Sequence, residues 1–151
     1  MRAPITAVAD VEVRAFVAIR LDEAVRAALG AAIEGLRRVA RDVAWVVPDN
    51  LHLTLKFLGQ VRAARTPELV AALTRAASGL AAFEREPRPF SPHVTLGRVR
   101  TPRRDLALAE ALRAGDAQKF GRLVVERVAL MRSDLAPRGA RYTEVAAAKL
   151  A

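Results

Sequence analysis

The run Leu51-His52-Leu53-Thr54-Leu55-Lys56-Phe57 alternates apolar and polar side chains without a break. A period of two is that of an extended strand with one face in a core. Leu51, Leu53, Leu55 and Phe57 make the apolar face, so Phe57 reads as core rather than as a base-stacking platform. His52, Thr54 and Lys56 share the opposite face, which must look into a cleft or into solvent. The phrase His-x-Thr occurs once more, as His93-Val94-Thr95 inside SPHVTLGR, and these are the only two histidines of the chain. One histidine on a strand is usually structural, and one His-x-Thr carries little information. Both histidines in the same phrase carry far more.

Chemistry explains why such a pair is useful. Imidazole ordinarily titrates near ~6.5, so one ring can give a proton while a second takes one, each worth roughly 10²–10⁴-fold. No metal is then required. The chain has no cysteine, which excludes disulfides and cysteine-rich zinc sites, and two histidines alone make a poor metal site unless carboxylates join them. No glycine-rich phosphate loop is present, so neither a cofactor nor a nucleoside triphosphate is expected.

At 151 residues, 52% hydrophobic, the chain suits one globular domain spanning 1–151, with residues 1–12 as a flexible N-terminus. Its net charge of +9, from 25 basic and 16 acidic residues, implies a polyanionic partner and electrostatic steering toward it. No stretch approaches the ~20 apolar residues of a spanning helix, nor does the start resemble a secretory leader. The expectation is a soluble, cytoplasmic protein without a membrane partner, monomeric by default.

Val13–Ile19 reads as a strand, and Asp22 caps a helix through Val25, Leu29, Ile33 and Leu36 that closes on Arg37, Arg38 and Arg41. Ala44–Val47 is a short strand, Pro48-Asp49-Asn50 a turn, and His52–Leu58 a strand ending at Gly59. Thr66-Pro67 opens a second helix that Ser78-Gly79 interrupts before Phe83. Pro87, Pro89 and Pro92 hold the approach to the second motif extended. His93–Val99 is a strand, Thr101-Pro102 opens a helix through about Arg113, and Leu123–Met131 pairs with Arg141–Ala147 as a hairpin. The order predicts an α+β fold of antiparallel sheets flanked by helices, in two related halves with a central cleft. Trp45, the sole tryptophan, anchors the core near the first motif.

The two phrases resemble the signature of the 2H phosphoesterase superfamily, and their wording is similar to its RNA 2',3'-cyclic phosphodiesterase (2'-5' RNA ligase) family. Arg14-Ala15-Phe16-Val17-Ala18-Ile19 resembles that family's first strand, Trp45-Val46 through Asn50 its lead-in, and Ser133-Asp134-Leu135 through Gly139-Ala140-Arg141-Tyr142 its closing hairpin. The resemblance implies a two-lobed fold and metal-free cleavage of cyclic phosphate ends of RNA to a 2'-phosphate, with 2'-5' ligation in some members. It implies His52 and His93 as the catalytic acid and base, His93 acting on water and His52 on the leaving 3'-oxygen, or the reverse. Thr54 and Thr95 would bind the phosphate, with Arg98 as a clamp. Ideal alternation turns Arg98 away from His93 unless a bulge at Gly97 re-aims it. Lys56 and Tyr142 are further candidate contacts, Tyr142 being equally at home in a core. The cluster Arg100, Arg103 and Arg104 reads as a solvated face.

The segment between the motifs is shorter than in the family, where two further strands and a helix stand, so one lobe is expected to be reduced. Two other functions compete with the RNA phosphodiesterase: a cyclic-nucleotide phosphodiesterase of the same superfamily, and an RNA-binding derivative that has lost turnover.

Overall fold

In the computed structural model, which describes residues 11–79, 88–101 and 104–151, β1 (Glu12–Arg20) pairs antiparallel with β5 (Arg127–Ala136) in the register Arg14 to Ser133 and Phe16 to Met131. β5 turns through Pro137-Arg138 into β6 (Gly139–Lys149), where Gly139 takes a φ of 118° that other residues adopt only with strain. β3 (His52–Arg62) lies on the other side of β1, giving the order β3-β1-β5-β6.

The chain divides into two compact units. The first holds residues 1–20, 54–92 and 125–151. Its helix α2 (Thr66–Ala77) lays Leu73 and Ala77 on one face of the sheet, against Ala15, Val128, Leu130 and Ala148. The other face carries Phe16, Ala18, Ala129 and Met131, with Tyr142 packed against them. A cavity of about 430 Å³ lies beside α2, lined by Val17, Leu55, Leu69 and Leu73 among others.

The second unit holds residues 21–53 and 93–124. Asp22 caps α1 (Glu23–Val39) by accepting from the Val25 amide at 2.7 Å, and Arg37 and Arg38 in its last turn complement the helix dipole. Leu29 and Ile33, one turn apart, are buried with Leu21 and Leu51, and Trp45, Val94, Leu96, Phe120 and Leu123 pack around them. Trp45 therefore anchors this core, as its position suggested. A small sheet pairs β2 (Val43–Trp45) with β4 (Gly97–Val99). A Cβ on Gly97 would stand 2.7 Å from Val43 Cγ1 and 2.9 Å from the Trp45 ring, so only glycine permits this approach.

Several boundaries differ from expectation for identifiable reasons. β3 continues through Gly59, whose φ of 73° keeps the strand going to Arg62 instead of ending it. α2 begins at Thr66 with Pro67 in its first turn, without a side-chain cap, and ends before Gly79 at φ 72°. The expected continuation to Phe83, and Pro87, lie outside the described residues. The third helix, α3 (Leu106–Ala114), starts later than Thr101, because the Asp105 carboxylate accepts from the Leu108 amide at 2.9 Å; Pro102 and Arg103 lie outside the described residues. β5 starts at Arg127 rather than Leu123, since Leu123 is drawn into the α1 core. The second motif forms strand only at Gly97–Val99, and Val94 makes a single bridge. Among the described residues no helix is long and apolar enough to cross a membrane.

Candidate active site

The two His-x-Thr phrases meet through one backbone bridge, Leu53 opposite Val94 in antiparallel sense. Ideal antiparallel pairing about such a bridge would set His52 opposite Thr95 and His93 diagonally from His52, with side chains ~7–8 Å apart. Leu53 and Val94 point one way, with Val94 in the α1 core, so His52, His93 and Thr95 share the opposite face. Both histidines and Thr95 belong to the second unit, and the division between units falls in β3 just before Thr54. His93 is exposed, while His52, Thr54 and Thr95 are part-buried.

His52 is held by its own lead-in. The turn Pro48–Asn50 presents the Asn50 carbonyl, which accepts a hydrogen bond from His52 Nδ1 at 2.7 Å. A carbonyl can only accept, so Nδ1 carries the proton in this bond. Pro48-Asp49-Asn50 was legible as a turn, but a backbone carbonyl has no sequence signature, and this support was not foreseen.

The remaining candidates are placed differently from one another. Arg98 is exposed and pairs with Ala44, and the register from Val43–Val99 to Trp45–Gly97 runs without a shift, so no bulge at Gly97 re-aims it. Lys56 is exposed, with its stem along the apolar cavity beside Leu55 and Leu58. Tyr142 packs edge-to-face on Phe16, ring centroids 5.2 Å apart, on the core side of its two readings. Phe57 contradicts its assignment to the core: it is 51% exposed, with the Arg14 guanidinium 4.7 Å from its ring centroid. The cause is a break in the alternation of β3, since Leu55 and Leu58, three positions apart, pack in the same cluster. Among the described residues, no three His, Cys, Asp or Glu side chains gather where they could hold a metal ion.

Both imidazoles and the Thr95 hydroxyl thus belong to one unit, on two segments joined by a single bridge. The chain is 28% identical to the RNA 2',3'-cyclic phosphodiesterase of Methanothermobacter thermautotrophicus, over 89% of this chain and 97% of that one. It is 26% identical to the protein of the same name from Archaeoglobus fulgidus, over 87% and 97%. The first alignment is 178 positions long, longer than the whole 151-residue chain, so the relative carries a segment that is missing here. Among solved structures, TT0787 of Thermus thermophilus superposes with a TM-score of 0.66 at 26% identity, covering 91% of this chain and 97% of that one. The apo form of Escherichia coli LigT shares the fold, with a TM-score of 0.52 at 24% identity over 93% and 99%. The model of one phosphoesterase family, described as LigT-like, matches residues 19–86 and 81–142, in two pieces that meet between the motifs where the chain is short; this protein belongs to the LigT-like phosphoesterase family.

Proposed function

We propose that this protein hydrolyses the 2',3'-cyclic phosphate at the 3' end of RNA to a 2'-phosphate, using two histidines and no metal. The observation that carries the reading is the Leu53–Val94 bridge that joins the two His-x-Thr phrases, together with the activity for which the relatives are named. The net charge of +9 suits a polyanionic substrate.

The chemistry runs in line. Water attacks phosphorus opposite the 3'-oxygen while His93 takes its proton. As the bond from phosphorus to the 3'-oxygen breaks, His52 Nε2 gives that oxygen a proton, while Nδ1 stays on the Asn50 carbonyl. The product has a 2'-phosphate and a free 3'-hydroxyl, and the two rings have exchanged protonation states, which solvent then resets. Thr54 and Thr95 donate to the nonbridging oxygens as charge builds there. With its backbone not re-aimed, Arg98 can serve as a clamp only through the length of its side chain. A 5'-hydroxyl in place of water gives 2'-5' ligation through the same groups.

The test is turnover of a short RNA ending in a 2',3'-cyclic phosphate, in EDTA, with the phosphate position read in the product. A 2'-phosphate is expected. A 3'-phosphate, or activity only on added metal, would overturn the reading, and turnover of cyclic mononucleotides alone would move it to a small-molecule phosphodiesterase.

A further inference from the structure

Helix α1 contains two glycines, Gly30 and Gly35, and they differ in what lies against them. Glycine inside a helix is unfavourable, because it gives up the most backbone freedom and packs no side chain. A Cβ on Gly35 would meet nothing within 4 Å, whereas one on Gly30 would stand 3.3 Å from Pro48 Cγ and 3.8 Å from Pro48 Cβ. The Pro48–Asn50 turn therefore rests against bare helix backbone. This is the turn whose Asn50 carbonyl accepts from His52 Nδ1 at 2.7 Å. Arg26, four residues before Gly30 and so on the same side of α1, also reaches the turn, its guanidinium 3.6 Å from the Asp49 carboxylate. The Asp49 side chain is 93% exposed, so this ion pair contributes little beside the Gly30 contact.

The turn passes a displacement on because it is braced internally. The Asn50 amide donates to the Val47 carbonyl at 2.9 Å and the Leu51 amide to the Pro48 carbonyl at 3.1 Å, while the proline ring fixes φ at the first position of the turn. Leu51, 3% exposed, is locked beside Leu29 and Ile33 of the same helix. With Leu51 held on one side and Pro48 pushed a few tenths of an ångström on the other, the Asn50 carbonyl between them has to turn. The tautomer of a neutral imidazole follows the hydrogen bonds its nitrogens make, so a displaced carbonyl changes where the His52 ring holds its proton.

We propose that Gly30 is a positioning residue for His52: its missing side chain lets α1 seat Pro48, and that seat sets the Asn50 carbonyl that orients the imidazole and keeps its proton on Nδ1. This deepens the cyclic phosphodiesterase reading and rests on it for the consequence in turnover, though not for the geometry. Misplacing a reacting group by about 1 Å can cost roughly 10²-fold, so a shift of a few tenths should lower kcat roughly three- to tenfold while KM stays put.

The experiment compares the full chain as wild type, Gly30→Ala, Gly35→Ala, Pro48→Ala and the double variant Gly30→Ala/Pro48→Ala. NMR shifts of the ring nitrogens, in alkaline buffer where an ordinary imidazole is neutral, report which nitrogen of His52 holds the proton, and His52→Ala assigns the signals. Gly30→Ala should move His52 from Nδ1–H toward Nε2–H and lower kcat on RNA ending in 2',3'-cyclic phosphate. Gly35→Ala, which gives α1 the same extra methyl, should match wild type in both. Pro48→Ala removes the Cγ that the methyl would meet, so the double variant should match Pro48→Ala alone. His52 signals unchanged in Gly30→Ala, or changed as much by Gly35→Ala, would overturn the proposal, as would an effect of Gly30→Ala that persists in the Pro48→Ala background. A tautomer change with kcat intact would remove the positioning role. If wild type hydrolyses nothing, the catalytic reading fails, while the nitrogen shifts still decide whether Gly30 sets the His52 ring.

Discussion

The two units of the chain hold themselves together in different ways. In the first, β5 and β6 pair over the whole of the hairpin and β1 adds a second continuous ladder. In the second, the sheet is three residues on each strand, and the histidine phrases touch through one bridge. The second unit is held chiefly by its side chains: Leu29, Ile33 and Leu51 are buried, and Trp45 and Val94 close on them. His52 opens β3, a strand of the larger sheet, whereas His93 lies outside the named strands, on a segment joined to the first motif through one bridge. Regular ladders make a stable frame, whereas an interrupted one leaves backbone and side chains free to face a substrate.

Variants can break this contrast. The largest effect is expected at the histidines: His52→Ala and His93→Ala should each lower turnover by about 10²–10⁴-fold while thermal unfolding stays close to wild type. A loss of activity accompanied by early melting would instead make these rings structural. Core truncations come next. Ile33, 1% exposed, should cost ~2–5 kcal/mol as Ile33→Ala in urea unfolding. Leu73→Ala should fall at the lower end of that range, because Leu73 already borders the 430 Å³ cavity; the opposite order would mean that the first unit is the tighter-packed one. Gly97→Ala should cost ~1–3 kcal/mol by driving a methyl into Val43 and Trp45, and Trp45 fluorescence would report the displacement.

The smallest effect belongs to an exposed pair at the start of α2. Arg65 donates two hydrogen bonds to Glu68, at 2.8 and 2.9 Å, and lowers its carboxyl below the usual glutamate range. A folded-state pKa below the unfolded one stabilises at pH above the unfolded value and is lost as pH falls through the folded value. Glu68→Gln should therefore melt slightly earlier than wild type at neutral pH and converge with it in acid. A difference that grows in acid would reverse the sign.

Much of this arrangement could be read from the residues. The strand period of LHLTLKF located His52 and Thr54, and Asp22 with Val25, Leu29 and Ile33 located α1, because caps and periodicity are local signals. The start of α3 was misplaced because Thr101-Pro102 is a good start signal that the Asp105 carboxylate outcompeted. Phe57 was out of reach for another reason. Its face depends on the break between Leu55 and Leu58, which arises from packing against α2 and leaves no mark in the alternation itself. The Asn50 carbonyl and the Leu53–Val94 bridge are likewise products of tertiary structure.

The central claim is that one imidazole works unprotonated while the other works protonated, and the pH dependence of kcat/KM, measured in EDTA on RNA ending in 2',3'-cyclic phosphate, tests it most directly. A bell-shaped profile for wild type, losing one limb in His52→Ala and the other in His93→Ala, is the predicted result. A flat or single-limbed wild-type profile, or a bell that survives in either variant, would contradict it.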